Sequence, residues 1–364
     1  MNIKAKKNNL LPALRGRSMR RILTRAAAAV SALAVAAVSL ISCEVNVKPQ
    51  KSAEDDLRVV GTVAGRDVLY DELRFIAVNS REMLAEKYGA GIWEDAATAE
   101  TYREELTRLV VKGMESSYYA VISMANDYYI GGAGAMLSEK AIEETVAAEV
   151  NATAEECGGK KAYLKELENN ALTDRLYRFY LSVDEMATEL TYVLKTDLGL
   201  IPSSDDELKE FMHSDKFIRT NHIYIKGLED DRLALAEELR QKLLESDSPD
   251  LELILLKGRY DSDFSITTTH GVYFARYTSD YGDEYEKTAF ALEVGGISGI
   301  VAGKEGYYVI MRLPVEDDWL QYNFEDFSEA IIGSEFNLMV DDYREKLEFS
   351  FNEFGASVDL IALK

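Results

Sequence analysis

The sequence contains few of the residues on which metal centres and disulfide cross-links depend, with two Cys, three His and five Pro in 364 residues. Two cysteines cannot cross-link a chain of this size, which excludes the disulfide-rich class of small secreted domains. Three histidines exclude a histidine-rich metal centre. Positive charge is also scarce, since 41 Lys and Arg stand against 64 Asp and Glu. A net charge of -23 repels phosphate backbones and excludes a nucleic-acid partner.

The N-terminal segment predicts export from the cytoplasm. Five arginines between positions 15 and 25 precede an apolar run of 16 residues from Ala26 to Ile41. A membrane-spanning helix needs about 20 apolar residues, whereas the order basic, apolar, small is typical of a secretory signal. Residues 1–42 are therefore predicted to be a signal peptide that starts at either Met1 or Met19.

The predicted signal ends in Leu40-Ile41-Ser42-Cys43, which resembles the bacterial lipobox. The resemblance implies that Cys43 is lipidated and becomes the first residue of the mature protein. Each buried methylene of an acyl chain contributes about 0.8 kcal/mol, so two or three chains would hold the protein firmly. The alternative is an ordinary cleaved signal, or an uncleaved anchor, with a chance cysteine. With residues 43–56 as a polar tether, we expect an extracytoplasmic protein that is lipid-anchored to the bacterial cell membrane.

Hydrophobic periodicity divides the rest of the chain into helical and mixed segments. Residues 57–215 are predicted to be almost all helix after a hairpin at 57–69, with one long helix through 106–125. Residues 216–316 alternate strands and helices, beginning with a strand from Phe217 to Lys226. Residues 317–364 return to helix and are predicted to close with a strand from Ser357 to Leu363. A strand at each end suggests that the termini of the mature chain pair.

Four segments of the mixed region resemble parvulin-type peptidyl-prolyl isomerases. In chain order they match the family's first strand, its phenylalanine-bearing helix, its Gly-Glu-Ile-Ser turn and its closing strand: Asn221-His222-Ile223-Tyr224-Ile225-Lys226, Ala289-Phe290-Ala291-Leu292, Val294 to Val301, and Gly306 to Leu313. More loosely, the lipoprotein signal, the hairpin at Gly61 to Gly65, the Asp71-Glu72-Leu73 helix start and the helical C-terminus resemble the PrsA/SurA-type extracytoplasmic foldases.

This resemblance implies an α+β fold in which an inserted parvulin-like domain, a small antiparallel sheet with helices, interrupts a mostly helical chaperone module. The module would comprise residues 57–215 and a returning helix and strand at 317–364, and the inserted isomerase domain would comprise residues 216–316. Its partners would be unfolded or newly secreted polypeptides and X-Pro segments. The resemblance implies no cofactor and no metal.

The resemblance also implies the site residues. His222 matches the family's first histidine, and Tyr308 stands where the second histidine is expected, so we predict a hydrogen bond between them. The family's Cys or Asp falls at Asp263 or Phe264, and the register between these two stays open. The proline-binding residues would be Tyr273, Tyr281, Tyr285 and Phe290, of which Phe290 is alternatively a core residue.

These substitutions leave the activity open between an isomerase and a chaperone whose isomerase domain is inactive. The Tyr118-Tyr119 and Tyr128-Tyr129 pairs cannot all face inward on one helix, which favours exposed aromatic rings that capture unfolded chains. Core rings are the alternative. Cys157, in an acidic setting, is predicted to have a raised pKa and no nucleophilic role. A solute- or peptide-binding lipoprotein would instead predict two lobes with parallel sheets.

Overall fold

The computed structural model describes residues 46–130, 139–264 and 269–363. The predicted signal peptide and Cys43 lie outside the described residues. The described chain forms two compact units, one made by the residues up to Leu198 together with those from Met339 onward, and the other by Gly199–Leu338. Within these ranges, none of the helices has the length and apolar character that crossing a membrane requires.

The first unit consists of helices and one small sheet. A hairpin of β1 (Val59–Val63) and β2 (Arg66–Leu69) pairs antiparallel with β7 (Phe349–Phe351), so the order is β2-β1-β7. The α-helices are α1 (Tyr70–Tyr88), α2 (Ala96–Thr101), α3 (Arg103–Met114), α4 (Ser117–Ile130), α5 (Glu139–Glu156), α6 (Lys160–Asn169) and α7 (Asp174–Thr196).

Two expectations for this unit are corrected. The helix predicted through 106–125 is two helices, because Glu115 leaves the helical conformation and its carboxylate accepts a hydrogen bond from the Phe349 amide at 3.0 Å. The two ends of the unit do pair, but through Phe349–Phe351 and not through the predicted strand at 357–363. Residues Glu353–Ser357 instead form α14, and Gly355 lies so close to β1 that a Cβ would be 1.9 Å from the Val60 carbonyl oxygen.

The second unit is built on a four-stranded antiparallel sheet in the order β4-β3-β6-β5. Its strands are β3 (Phe217–Lys226), β4 (Val272–Ala275), β5 (Ile297–Ala302) and β6 (Gly306–Leu313), and its helices are α8 (Asp205–Met212), α9 (Asp230–Glu245), α10 (Pro249–Tyr260), α11 (Asp283–Ala291) and α12 (Asp317–Tyr322). The last long helix, α13 (Phe324–Arg344), begins in this unit and ends in the first. The chain thus has an α+β fold, as predicted.

Side chains alternate across β3, so its two faces contact different partners. Ile223 and Ile225 pack against α9 and α10 in one apolar cluster. Ile218 lies in a second cluster with Phe274 of β4 and Tyr285 of α11. His222 has the same parity as Ile218 and therefore lies on the α11 face, which decides its neighbours.

Candidate functional site

His222 is the centre of a polar and aromatic cluster beneath α11. Its side chain is fully buried, with no exposed surface. Nε2 lies 3.1 Å from a carboxylate oxygen of Asp263, and Nδ1 lies 2.9 Å from the hydroxyl of Tyr285. Tyr281 donates its hydroxyl to the same Asp263 oxygen at 3.1 Å. The structure therefore brings together four of the residues that the sequence predicted for the site.

The hydrogen bonds assign the tautomer of His222. A carboxylate accepts hydrogen bonds and cannot donate them, so Nε2 carries the proton that faces Asp263. Nδ1 is then the acceptor of the Tyr285 hydroxyl. Burial lowers the pKa of His222 below its ordinary value of 6.5, and this effect exceeds the opposing effect of the hydrogen bond that His222 donates to Asp263. His222 is consequently a neutral imidazole near pH 7.

Tyr308 occupies a different place from the one predicted. The β3–β6 register pairs it with Tyr224, whereas His222 is opposite Ile310. Its ring meets the His222 ring edge-on at 5.1 Å and stacks on the Tyr224 ring at 4.5 Å. The hydrogen-bond partners of His222 are Tyr285 and Asp263, so the predicted bond from Tyr308 is not formed.

The phenol of Tyr308 is half-buried at the surface of this cluster. Burial, helped by the charges of nearby carboxylates, raises its pKa to about 12. The group is therefore a protonated hydroxyl at any physiological pH and can act as a hydrogen-bond donor. Tyr224, which sequence reasoning missed, forms the other half of the ring stack. Its two-residue spacing from His222 on one strand is the signal that places both on one face.

The loop after α10 fixes Asp263 against the edge of β3. Tyr224 donates its amide to the Asp261 carboxylate at 2.8 Å and accepts the Ser262 amide at 2.8 Å. Lys257 contacts the Asp261 carboxylate and donates to the His222 carbonyl oxygen at 3.1 Å. This loop directs Asp263 toward His222, while the side chain of the next residue, Phe264, is 85% exposed. Of these two residues, Asp263 is the one that lies beside His222.

Two predicted proline-binding residues lie away from this cluster. Tyr273 pairs with Arg219 on the opposite face of β3, stacks on Phe327 at 5.3 Å and meets Glu316 at 3.4 Å. Phe290 is on the α11 face, but it packs edge-on against Phe274 at 5.7 Å in the core. Tyr273 cannot contribute to a wall beside His222, and the contact of Phe290 with Phe274 favours its alternative role as a core residue.

The other two histidines and Cys157 do not contact this cluster. His213 contacts Asp317 at 3.0 Å, and His270 stacks on Trp319 at 4.0 Å, both within the second unit. The pKa of Cys157 is raised by burial, with smaller contributions from Glu166 and Glu156, so its thiol is not activated. No group of three His, Cys, Asp or Glu side chains in the described ranges is arranged to hold a metal ion.

The aromatic pair at 118 and 119 is packed inward. Tyr119 is buried and its hydroxyl donates to Glu72, while the half-buried Tyr118 ring lies 4.5 Å from that of Tyr180. Tyr129 of the second pair lies outside the residues whose side chains are described. Among the described residues of this unit, the exposed large apolar side chains are Leu57, Met83 and Tyr88 of α1, and Tyr192 of α7. Tyr118 and Tyr119 therefore pack as the core alternative predicts and not as exposed rings.

Comparisons with known proteins give structural likenesses and no sequence relatives. A scan against models of protein families finds no match, and a search of curated proteins finds none either. The solved structures similar to this chain include the peptidylprolyl isomerase PrsA from Bacillus anthracis, at a TM-score of 0.31 and 16% identity, covering 63% of this chain and 94% of that one. The foldase protein PrsA from Streptococcus pneumoniae is similar at a TM-score of 0.29 and 13% identity, over 79% of this chain and 92% of its own.

A SurA-like chaperone of Campylobacter jejuni, one of the pair PEB4 and Cj1289, is similar at a TM-score of 0.26 and 14% identity. The alignment covers 81% of this chain and 99% of that one. PrsA and SurA-like proteins are the two groups that the sequence patterns resemble.

Proposed function

We propose that this protein is an extracytoplasmic foldase whose second unit isomerises X-Pro peptide bonds and whose N-terminus is lipid-anchored through Cys43. The observation that carries the isomerase proposal is the arrangement of Asp263, Tyr281 and Tyr308 around the buried His222. The predicted division into a helical module (57–215 and 317–364) and an inserted isomerase domain (216–316) belongs to the same proposal.

Catalysis of X-Pro isomerisation requires a site that binds the twisted amide more tightly than the planar amide. Rotation about an X-Pro bond must break amide resonance, which costs about 18–20 kcal/mol. In the twisted state the nitrogen recovers its lone pair and the carbonyl oxygen loses negative charge. A site that donates a hydrogen bond to the nitrogen and presents aromatic surface to the ring binds this state more tightly, and no covalent step is needed.

Some residues of the site can contact a bound peptide, and others hold those residues in position. The Tyr308 hydroxyl is the donor for the proline nitrogen, and the stacked Tyr224 and Tyr308 rings form aromatic surface for the pyrrolidine. Tyr281, which donates to Asp263, has its ring 5.9 Å from that of Tyr308. His222, with no exposed surface, is a positioning residue that orients Asp263 from below.

The direct test is the isomerisation of a proline tetrapeptide by the purified protein and its Tyr308→Phe variant. Replacing Tyr308 by Phe removes only a half-buried hydroxyl, so the variant should fold. Loss of one transition-state hydrogen bond should lower kcat/KM about 10- to 100-fold with little change in KM. Equal activity of the two proteins would remove Tyr308 from the mechanism, and no activity in either would leave the inactive-domain alternative.

Binding of unfolded chains is a second candidate function, favoured by one surface of α10. Leu251, Ile254 and Leu255 follow helical spacing and are all exposed, which leaves an apolar stripe open to solvent. Leu255→Glu should reduce the suppression of client aggregation. Val294→Glu, at a loop residue of equal exposure, is the control and should not. If both variants suppress aggregation as well as the parent protein, the stripe is not a client surface.

A solute-binding lipoprotein is not supported by the fold. All strand pairings in the described ranges are antiparallel, so the two parallel-sheet lobes of that alternative are not among them.

A further inference from the structure

Tyr285 was predicted to line the proline pocket, but its contacts give it a different task. Its side chain is buried in the cluster of Ile218 and Phe274, where a bound peptide cannot reach it. Its hydroxyl lies 2.9 Å from His222 Nδ1 and 3.0 Å from the Thr220 hydroxyl. A buried phenol with two polar partners acts through hydrogen bonds, not through apolar contact with a substrate.

The proton on each oxygen follows from the order of the contacts. His222 uses its one proton toward Asp263, so Nδ1 can only accept, and Tyr285 must donate to it. Tyr285 then accepts the hydroxyl proton of Thr220. Burial raises the pKa of Tyr285 above its ordinary value, which keeps the phenol protonated and able to donate. The chain of hydrogen bonds therefore runs from Thr220 through Tyr285 and His222 to Asp263.

We propose that Tyr285 is the positioning residue that fixes His222 in its Nε2–H form and thereby holds Asp263 at the isomerisation site. Tyr285, in the first turn of α11, and Tyr281, two residues before the helix begins, each place a hydroxyl at one end of the His222–Asp263 pair. The partner that the sequence assigned to Tyr308 on β6 is thus provided by α11. The role of Tyr285 in isomerisation rests on the proposed function, whereas its effect on the tautomer of His222 does not.

The test uses the full-length protein labelled with 15N in its three histidines. Wild-type His222 should give the spectrum of a single Nε2–H tautomer at pH 7. In Tyr285→Phe, Nδ1 loses its donor, so a mixture of tautomers should appear. The pKa of His222 should rise by about one unit, because a hydrogen bond that favoured the neutral ring has been removed. Tyr281→Phe is the matched control, since it leaves both nitrogens of His222 with their partners.

A second substitution keeps every contact in place and covers a failure of Tyr285→Phe to fold. Fluorotyrosine at position 285 has a more acidic phenol and donates more strongly, so the pKa of His222 should fall. An unchanged tautomer and pKa in both Tyr285 variants would overturn the proposal.

Isomerisation by the same variants separates this inference from the proposed function. Tyr285→Phe should lower kcat/KM about tenfold while KM changes little. A tautomer mixture with undiminished isomerisation would overturn the positioning role in catalysis. A tautomer shift in a protein that isomerises no peptide would uphold the role of Tyr285 in holding His222 and refute the isomerase proposal.

Discussion

At the residue scale, two histidines with opposite environments have opposite effects on stability. Burial lowers the pKa of His222, so the unfolded chain takes up a proton at a higher pH than the folded chain does. Its contribution is complete above the ordinary pKa of 6.5 and is lost as the pH falls below that value. Backbone and Asp317 hydrogen bonds raise the pKa of His213, whose contribution is present below 6.5 and lost as the pH rises.

This difference predicts how two variants change the pH dependence of unfolding. Between pH 7.5 and 6, wild type should lose more stability than His222→Asn, by up to about 1.4 kcal/mol per pH unit. His213→Gln should change the slope in the opposite direction and by less, because His213 is exposed. Urea unfolding at a series of pH values measures both slopes. A His222→Asn slope equal to that of wild type would contradict the neutral, buried imidazole.

Two tyrosines that the sequence assigned to one pocket should separate by activity. Tyr281 donates to Asp263, whereas Tyr273 lies on the opposite face of β3 and contacts Glu316. Each Tyr→Phe change removes one hydroxyl from a half-buried ring. We expect Tyr281→Phe to lower kcat/KM for a proline peptide about tenfold and Tyr273→Phe to leave it unchanged. The reverse order would contradict the placement of the site on the α11 face.

At the element scale, the site depends on how closely β6 approaches β3. A Cβ on Gly306 would lie 2.2 Å from the Ile225 carbonyl oxygen and 2.8 Å from the Tyr224 ring. A side chain there forces the strands apart and moves Tyr308 relative to Tyr224. A Cβ on Gly299, in β5, meets nothing within 4 Å.

Gly306→Ala should therefore destabilise the protein by at least about 2 kcal/mol and reduce isomerisation, while Gly299→Ala should do neither. Denaturant unfolding followed by circular dichroism measures the first effect. Equal stability of the two variants would show that the β3–β6 contact is looser than described.

Local patterns were sufficient to predict most elements. Strand Phe217–Lys226 was predicted with the bounds that it has, and α8 begins with a local signal of the same kind, a capping box in which Ser204 and Glu207 bond each other's backbone amides. Strand β4 was missed because four residues in a Gly- and Tyr-rich stretch carry too little periodicity. Strand β7, with three residues, was misplaced for the same reason.

The prediction of the site was limited in the same way, because the contacts of its residues depend on long-range pairing. The resemblance to parvulins implied one site for His222, Tyr281 and either Asp263 or Phe264. A hydrogen bond from His222 was assigned to Tyr308, because the β3–β6 register that pairs Tyr308 with Tyr224 is a long-range property that no local pattern contains. Tyr273 was misassigned for a related reason: a strand inverts successive side chains, and β4 was not recognised as a strand.

At the scale of the whole molecule, the anchor proposal makes the two cysteines distinguishable. Cys43→Ser should abolish labelling by a radioactive fatty acid and move the protein from the membrane fraction to the soluble fraction of the cell envelope. Cys157→Ser, the matched control, should change neither. Membrane association that survives Cys43→Ser would mean that the segment before it remains attached or that another contact holds the protein.

The large net negative charge agrees with the proposed foldase, which must not aggregate while it binds unfolded chains. The carboxylates greatly outnumber the cations, which opposes association between copies of the protein. The exposed α10 stripe and the His222 site belong to the same unit, so a client held by apolar contact would be near the residues proposed to isomerise its prolines.

The most direct measurement is the refolding of a client protein whose slow phase is limited by prolyl isomerisation. That phase takes tens to hundreds of seconds without a catalyst. We expect the wild-type protein to raise the rate constant of this phase in proportion to the concentration of the protein. Asp263→Asn, with its fold intact by circular dichroism, should lose most of this effect. A slow phase that the wild-type protein leaves unchanged would contradict the isomerase site. Equal acceleration by Asp263→Asn would contradict the part assigned to the His222–Asp263 pair.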